Sequence, residues 1–424
     1  GGPVLIAGGG IAGLTTALAL ARRGIPAEVY ETRSGPIDEG AGIQLGPNAT
    51  RILISLGLEA RLAQHVTVPE HIVVNDGVDG RELTRFPLGE TIHRRHGAPY
   101  WAVHRADLYQ PLLDAARAEP LISITAGQTV TAVEPGAGHG VRVRMAEGGS
   151  ADGAFLVAAD GLWSRLRALL APGARLEATG VTAERCVLAM EAVPRRFHAP
   201  ATGIWLAPDS HVVHYPVAGG RSLAIVAIAP VAATASGWNT AVDAATVIAR
   251  VPHLPPALGE LFEQAETWRQ WGLMRGGMTF RPEGGAAGSG NAPAMLFLGD
   301  AAHPIQPFLA QGGAMAIEDA AIFADLYAAA PGDAASLATR FEALRRPRIE
   351  RVRAASIQNG RIYHLSGLAR TMRNTALRLT PGAAMIRRYD WLYGWRADAL
   401  AQSPIASPHR VSRARTPDGA ARAR

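Results

Sequence analysis

Four apolar residues, Val4 to Ala7, run straight into Gly8-Gly9-Gly10-Ile11-Ala12-Gly13, and Ile11 to Ala21 then carries helix-forming residues. A second short strand, Ala27 to Tyr30, follows and ends at Glu31. This strand, glycine turn, helix and strand restrict the fold more than any other stretch. Glycines spaced G-x-G-x-x-G let backbone touch a pyrophosphate, let the helix pack close on the strand, and leave helix N–H groups facing the anion. An acid at the end of the next strand is placed to accept a ribose hydroxyl. Outside that context the string is only a tight turn. The pattern predicts an α/β fold with a Rossmann-like nucleotide-binding domain.

At 424 residues and 48% hydrophobic composition, the chain can bury a large core and divide into two domains. Its net charge of +6 comes from arginine alone, for there is no lysine. These arginines are scattered, with several in Pro408 to Arg424, so no nucleic-acid partner is expected. Cys186 is the single cysteine, which excludes an intramolecular disulfide and fits a reducing compartment. With no visible secretory signal, a cytoplasmic location is expected. The most apolar run, Leu223 to Ala235, is too short for a membrane span and is broken by Pro230, so it reads as buried strand and no membrane partner is expected.

Further along, Pro47 to Leu62 and Arg105 to Ala118 read as amphipathic helices, with a turn-rich stretch at 73–99 between them. Short alternating strands occupy 121–157 and a second strand-rich region covers 181–229, in which Ile204 to Val217 is expected as one long strand. Helical patterns are expected at 241–271, a glycine-rich loop at 284–290, and helices again up to Trp395. The remainder, 396–424, has no apolar period and reads as a disordered, arginine-rich tail.

Two later corners sharpen the functional reading. Asp160-Gly161-Leu162-Trp163-Ser164-Arg165-Leu166-Arg167 follows one strand, and Gly299-Asp300 follows another. With these three motifs in order, the chain resembles the group A flavoprotein aromatic hydroxylases from Pro3 to about Trp395. The bacterial salicylate, 3-hydroxybenzoate and 6-hydroxynicotinate hydroxylases are similar through His211 to Val217, Leu309 to Gly313, and Trp391 to Gly394.

The resemblance implies tightly bound FAD, with NADH or NADPH as a transient reductant, O2 and a small aromatic substrate, and no metal. It implies hydroxylation of a phenolic or hydroxylated N-heteroaromatic acid through a flavin C4a-hydroperoxide, with decarboxylation where the attacked carbon bears a carboxylate. A homodimer is compatible with it. The FAD-binding domain is expected to comprise 3–70, 100–175 and 272–395, interleaved with a smaller β-sheet substrate domain of 71–99 and 176–271, and completed by C-terminal helices. FAD contacts are expected from Gly8, Gly10, Ile11, Ala12, Gly13, Glu31, Thr32, Arg33, Leu45, Arg105, Val130, Asp160, Asp300, Gly312 and Gly313. Pro307, beside the position where oxygen adds, is expected to act with His211 and Tyr215 in catalysis, while His303 reads as a packing residue of its turn.

Substrate contacts are expected from Leu45, Trp205, His211, Tyr215 and Phe308. A phenol titrates near 10, so drawing off its proton at neutral pH needs a base such as histidine. A flavin-dependent halogenase would share the nucleotide motifs, but relies on a lysine and a W-x-W-x-I-P motif that this chain lacks. A same-fold FAD reductase or oxidase, and a non-catalytic FAD-binding redox sensor, remain open alternatives.

Overall fold

The computed structural model describes residues 2–35, 41–137, 140–231, 238–283 and 293–397. Five strands form a parallel sheet in the order Met295–Phe297, Phe155–Ala158, Val4–Ala7, Ala27–Glu31, Ile122–Ala126. All residues of Val4–Ala7 and Phe155–Ala158 are buried, as expected of a sheet covered on both faces. The helix Ile11–Ala21 packs against Gly312–Ala329 and Arg105–Arg117. Its close approach requires Gly13, because a Cβ there would lie 1.9 Å from the Gly8 carbonyl oxygen.

A mixed eight-stranded sheet stands beside this layer, ordered Trp238–Val242, Trp268–Gly276, Leu176–Ala189, Ser222–Pro230, Ser210–Val217, Ala201–Ala207, His71–Asp76, Glu82–Pro87. One face packs on a core of Phe197, Trp205, Val212, Phe262 and Trp268. The other face, which carries Val213, Val226 and Ile228, looks toward the layer of the parallel sheet. The small sheet of Gly42–Leu45, Trp101–His104 and Val66–Thr67 lies between them.

Four local expectations need correction. The stretch 73–99 is structured: Ile72 and Val74 on one strand and Leu83 and Phe86 on its antiparallel partner are buried in the core, and Gly89–His96 is helical. The helix expected over 47–62 is two helices, Pro47–Ser55 and Glu59–Leu62, separated at Gly57, whose φ of 78° ends the first. The helical reading of 241–271 fails at its end, where Trp268 and Gln270 are buried on the strand Trp268–Gly276. The single strand over 204–217 is a hairpin that turns at Pro208-Asp209, with Asp209 at φ 57°. The loop at 284–290 and the tail from 398 lie outside the described residues. Cys186 is buried, and burial pushes its thiol up. Among the described residues, no helix is long and apolar enough to cross a membrane.

A buried charge network joins the layers. Asp319 accepts from the Gly299 N–H at 2.9 Å, from His303 Nε2 at 2.5 Å and from Arg345 Nε at 2.6 Å. Arg345 also donates to Glu318 at 2.8 Å, and Glu318 accepts from Arg348 and from Asn48, each at 2.8 Å. Asp319, Glu318 and Arg345 are all fully buried. Burial pushes the Asp319 carboxyl up, but His303 and Arg345 outweigh it and hold the group below its ordinary 3.8. That contribution to stability is present above this pH and is lost as acid protonates the carboxylate. Arg345→Met removes the guanidinium that two buried carboxylates share, so a loss of about 3–5 kcal/mol is expected by denaturant unfolding. A change within about 0.5 kcal/mol contradicts a structural role for the network.

Candidate active site

At the carboxyl ends of the parallel strands the three glycine-acid corners meet in one crevice. Gly10, Ile11 and Ala12 line it beside Ala159 and Gly161, with Asp300, Gly312 and Gly313 completing the wall. Two helices start there, Ile11–Ala21 and Gly312–Ala329, and neither has a side-chain cap or an acid in its first turn. Their free N–H groups give two positive ends that suit the two negative parts of a flavin dinucleotide, the pyrophosphate and the reduced ring. The space is open at both. A Cβ on Gly10 would meet no atom within 4 Å and one on Gly312 would meet only Asp300 Oδ1, at 3.9 Å, whereas one on Gly313 would clash with Ile43 Cδ1 at 2.6 Å.

Burial raises the Asp160 carboxyl; its Oδ2 accepts from the Leu166 N–H at 3.3 Å, and Oδ1 has no hydrogen-bond partner. Asp300 is exposed on the crevice wall. The two corners are tied together by Arg167, which is buried and donates to the carbonyls of Asp300 at 2.9 Å, Ala301 at 3.1 Å and Leu162. Ala310, in the same wall, is held at φ 52° and ψ 40°, where a side chain costs about 1–2 kcal/mol.

A second cavity opens on the other side of the glycine turn, lined by Gly9, Glu31, Arg33, Tyr109 and Arg117. Glu31 accepts from the Gly9 N–H at 2.7 Å and from Arg33 Nε at 3.1 Å. These groups fit a nucleoside end, with the carboxylate at ribose height and cations nearby for phosphate.

The eight-stranded sheet closes the crevice from the opposite side. Strand register sets its chemistry. Val213 pairs with Val226, which pairs with Arg185; one row away, His211 pairs with Ile228, and on the other side Tyr215 pairs with Ala224. His211, Tyr215 and Arg185 therefore border an apolar patch of Val213, Val226 and Ile228, and all six line the crevice. Arg185 stacks on Trp271 at 5.0 Å. Burial, with His364 alongside, drives the His211 imidazole well below 6.5, so it is neutral and able to accept a proton. Burial pushes Tyr215 up to about 12, which keeps it a donor.

Several expected residues lie elsewhere. Trp205 is corrected: the two-residue hairpin pairs it with Val212, not with the His211 face, and it packs against Phe197 and His214 in the rear core. Leu45 is fully buried behind Ile43 and does not line the crevice. Phe308 sits behind His211, with ring centroids 5.7 Å apart. Val130 is buried on the strand Val130–Pro135, and Thr32 is exposed; neither lines the two cavities described. Pro307 and Arg105 do line the crevice. His303 belongs to the buried network rather than the crevice. Arg167, Arg185 and His364 went unmarked because each becomes informative only through distant partners; the D-G-x-x-S-R-x-R run was the one local signal, for Arg167.

Residues 2–356 match the family described as FAD binding domain. The chain is 35% identical over 412 residues to the 3-amino-4-hydroxybenzoate 2-monooxygenase PtmB3 of Streptomyces platensis, covering 93% of this chain and 96% of that one. It is 32% identical over 396 residues to the 3-hydroxybenzoate 6-hydroxylase of Polaromonas naphthalenivorans, again covering 93% and 96%. In fold it is similar to a salicylate hydroxylase substrate complex, with a TM-score of 0.76, 22% identity and coverage of 94% and 97%. It is also similar to Klebsiella pneumoniae HpxO complexed with FAD and uric acid, with a TM-score of 0.78, 23% identity and coverage of 95% and 97%.

Asp300→Ala is expected to lower the FAD retained on purification. The loss of charge-assisted hydrogen bonds worth about 1.5–3 kcal/mol weakens binding roughly 10- to 150-fold, read by flavin absorbance per chain. Undiminished flavin content contradicts the placement of this carboxylate. A second expectation concerns acid. Burial lowers His214 to about 4 from 6.5, so the unfolded chain takes up the proton first and stability falls as pH drops through that interval, by about 1.4 kcal/mol per unit. His214→Phe should flatten this part of the denaturation profile, and an unchanged slope contradicts the assignment.

Proposed function

The chain belongs to the FAD-binding family of group A flavoprotein aromatic hydroxylases, and on that premise we propose that it hydroxylates a small phenolic acid with O2 and NAD(P)H. One observation carries the substrate side: His211, Tyr215 and Arg185 surround an apolar patch on the sheet face that closes the nucleotide crevice. An aromatic ring fits the patch, an ionised carboxylate fits the arginine, and a phenol fits the neutral histidine. The action of its relatives on hydroxybenzoates supports the same class.

In this proposal the pyrophosphate rests on Gly8 to Gly13, Glu31 takes the ribose, Asp300 and Arg105 take the ribityl and phosphate groups, and Gly312 and Gly313 face the ring edge beside Pro307. The eight-stranded sheet serves as the substrate domain. Bound FAD, reduced transiently by NADH or NADPH, supplies the activation of O2. His211 accepts the phenol proton, which raises electron density at the ring carbons ortho and para to that oxygen. Tyr215 stays protonated and donates to a substrate oxygen. Arg185 fixes the ring in the crevice plane by holding its carboxylate, and the valine patch excludes water. Carbon dioxide leaves only where the hydroxylated carbon carries the carboxylate.

The test is a screen of hydroxybenzoates and hydroxynicotinates for stimulated NAD(P)H oxidation with a hydroxylated product of matching yield. Stimulated oxidation that yields only peroxide with every acid would point to an oxidase instead. Arg185→Met should raise KM for the acid substrate about 10- to 100-fold without lowering flavin content, the range set by a charged hydrogen-bonded pair. An unchanged KM removes the arginine from substrate binding. His211→Ala should keep FAD and divert reducing equivalents from product to peroxide; intact coupling would mean that another group takes the phenol proton.

A further inference from the structure

We propose that His364 is a positioning and proton-relay residue, holding the His211 imidazole in place and carrying the substrate's phenol proton from the closed crevice to solvent. The inference rests on the aromatic-hydroxylase reading above. Its base is geometric. His211 Nδ1 lies 2.8 Å from His364 Nε2, so the nitrogen left to face a substrate in the crevice is Nε2 of His211. The His211 ring is only 2% exposed and is walled by Phe308 at 5.7 Å and Tyr363 at 5.2 Å. A proton taken up in that enclosure has a titratable neighbour at hydrogen-bond distance in His364, which is half-buried and closer to solvent.

The surroundings favour transfer in this direction. Beside His211 are His364 and the phenol of Tyr363, which burial keeps protonated. His364 caps the C-terminal end of the 30-residue helix Ala334–Tyr363, where the helix dipole favours a cation. Asp209, whose N–H donates to the His364 carbonyl at 3.3 Å, also favours the protonated ring. Arg373 opposes it, while its own guanidinium donates to the carbonyls of Ile362 and Tyr363. His211 meets only burial and a second imidazole, and is the harder of the two to charge.

The proton balance closes within a turnover. The phenol proton bonds to His211 Nε2, the proton on His211 Nδ1 passes to His364 Nε2, and the proton on His364 Nδ1 leaves to water. The pair is then neutral with both tautomers exchanged. When the product phenolate takes the Nε2 proton back, the same shifts run in reverse and the pair is reset. Positioning without relay would need only the hydrogen bond, and the two roles separate experimentally.

The probe is 4-hydroxy-3-nitrobenzoate, whose phenolate is coloured, mixed by stopped flow with the FAD-loaded protein below the ligand's own pKa. His364→Gln keeps a hydrogen-bonding group beside His211 but cannot titrate, so phenolate formation should slow at least about ten-fold with ligand affinity little changed. His364→Ala should be equally slow and recover speed with added imidazole, whereas the glutamine variant should not recover. A wild-type rate in the glutamine variant, or an alanine defect that imidazole leaves untouched, overturns the relay. Should neither variant fold, the wild-type rate in D2O decides: slowing supports the relay and an unchanged rate overturns it. Failure of this and every related phenolic acid to perturb the flavin spectrum overturns the hydroxylase reading as well as the relay. Binding with unaltered kinetics overturns the relay alone.

Discussion

Asp319 is the point on which the rest of the architecture depends. Its two carboxylate oxygens are shared among the Gly299 N–H, His303 and Arg345, in a place fully closed to water. The first contact fixes the glycine-acid corner at the end of the strand Met295–Phe297, and the last fixes the helix Ala334–Tyr363 that carries His364. Through Glu318 and Asn48 the same network reaches the helix Pro47–Ser55. Such a cluster loses much of its Coulomb energy to desolvation, so its value lies less in net stability than in allowing one arrangement of the parts. A hydrophobic replacement could hold the layers together without fixing where Asp300 or Gly312 stands.

The crevice divides its charge by side. On the nucleotide side, two uncapped helix ends and Arg105 offer positive potential to anionic groups and Asp300 offers an acceptor to hydroxyls, as Glu31 does in the adjoining cavity. On the sheet side, burial keeps His211 neutral and Tyr215 protonated, and among the described residues Arg185 is the cation that lines that face. In the proposed reading, a substrate entering there would meet one group for an ionised acid, one base and one donor over an apolar floor. The same burial that makes His211 a neutral base makes it a poor resting place for a proton, and for that reason its contact with His364 matters.

What could be read in the sequence follows from distance along the chain. The glycine turn, the Asp160 and Gly299 corners and the parity of His211, Val213 and Tyr215 are encoded within a few residues, and the crevice brings together residues from all of them. Trp205 was misplaced because a two-residue turn at Pro208-Asp209 reverses which face an alternating run presents, and no apolar period marks that turn. Arg185 lies two strands from Val213 in the sheet, and its place at the patch is set by register alone. Likewise His364 reaches His211 across 153 positions. The strands at 71–87 were missed because polar and turn-forming residues flank apolar positions whose alternation is short.

The central claim is that one FAD, held by the three corners, faces a phenolic acid held by Arg185 and His211, so that oxygen from O2 enters the ring. The most direct measurement is the mass of the product formed from a hydroxybenzoate and NAD(P)H under isotopically heavy O2. One heavy oxygen atom per product molecule, with consumption of reductant in equal amount, is the expected result. Product without the label, or reductant consumed wholly to peroxide with every acid that binds, would contradict it.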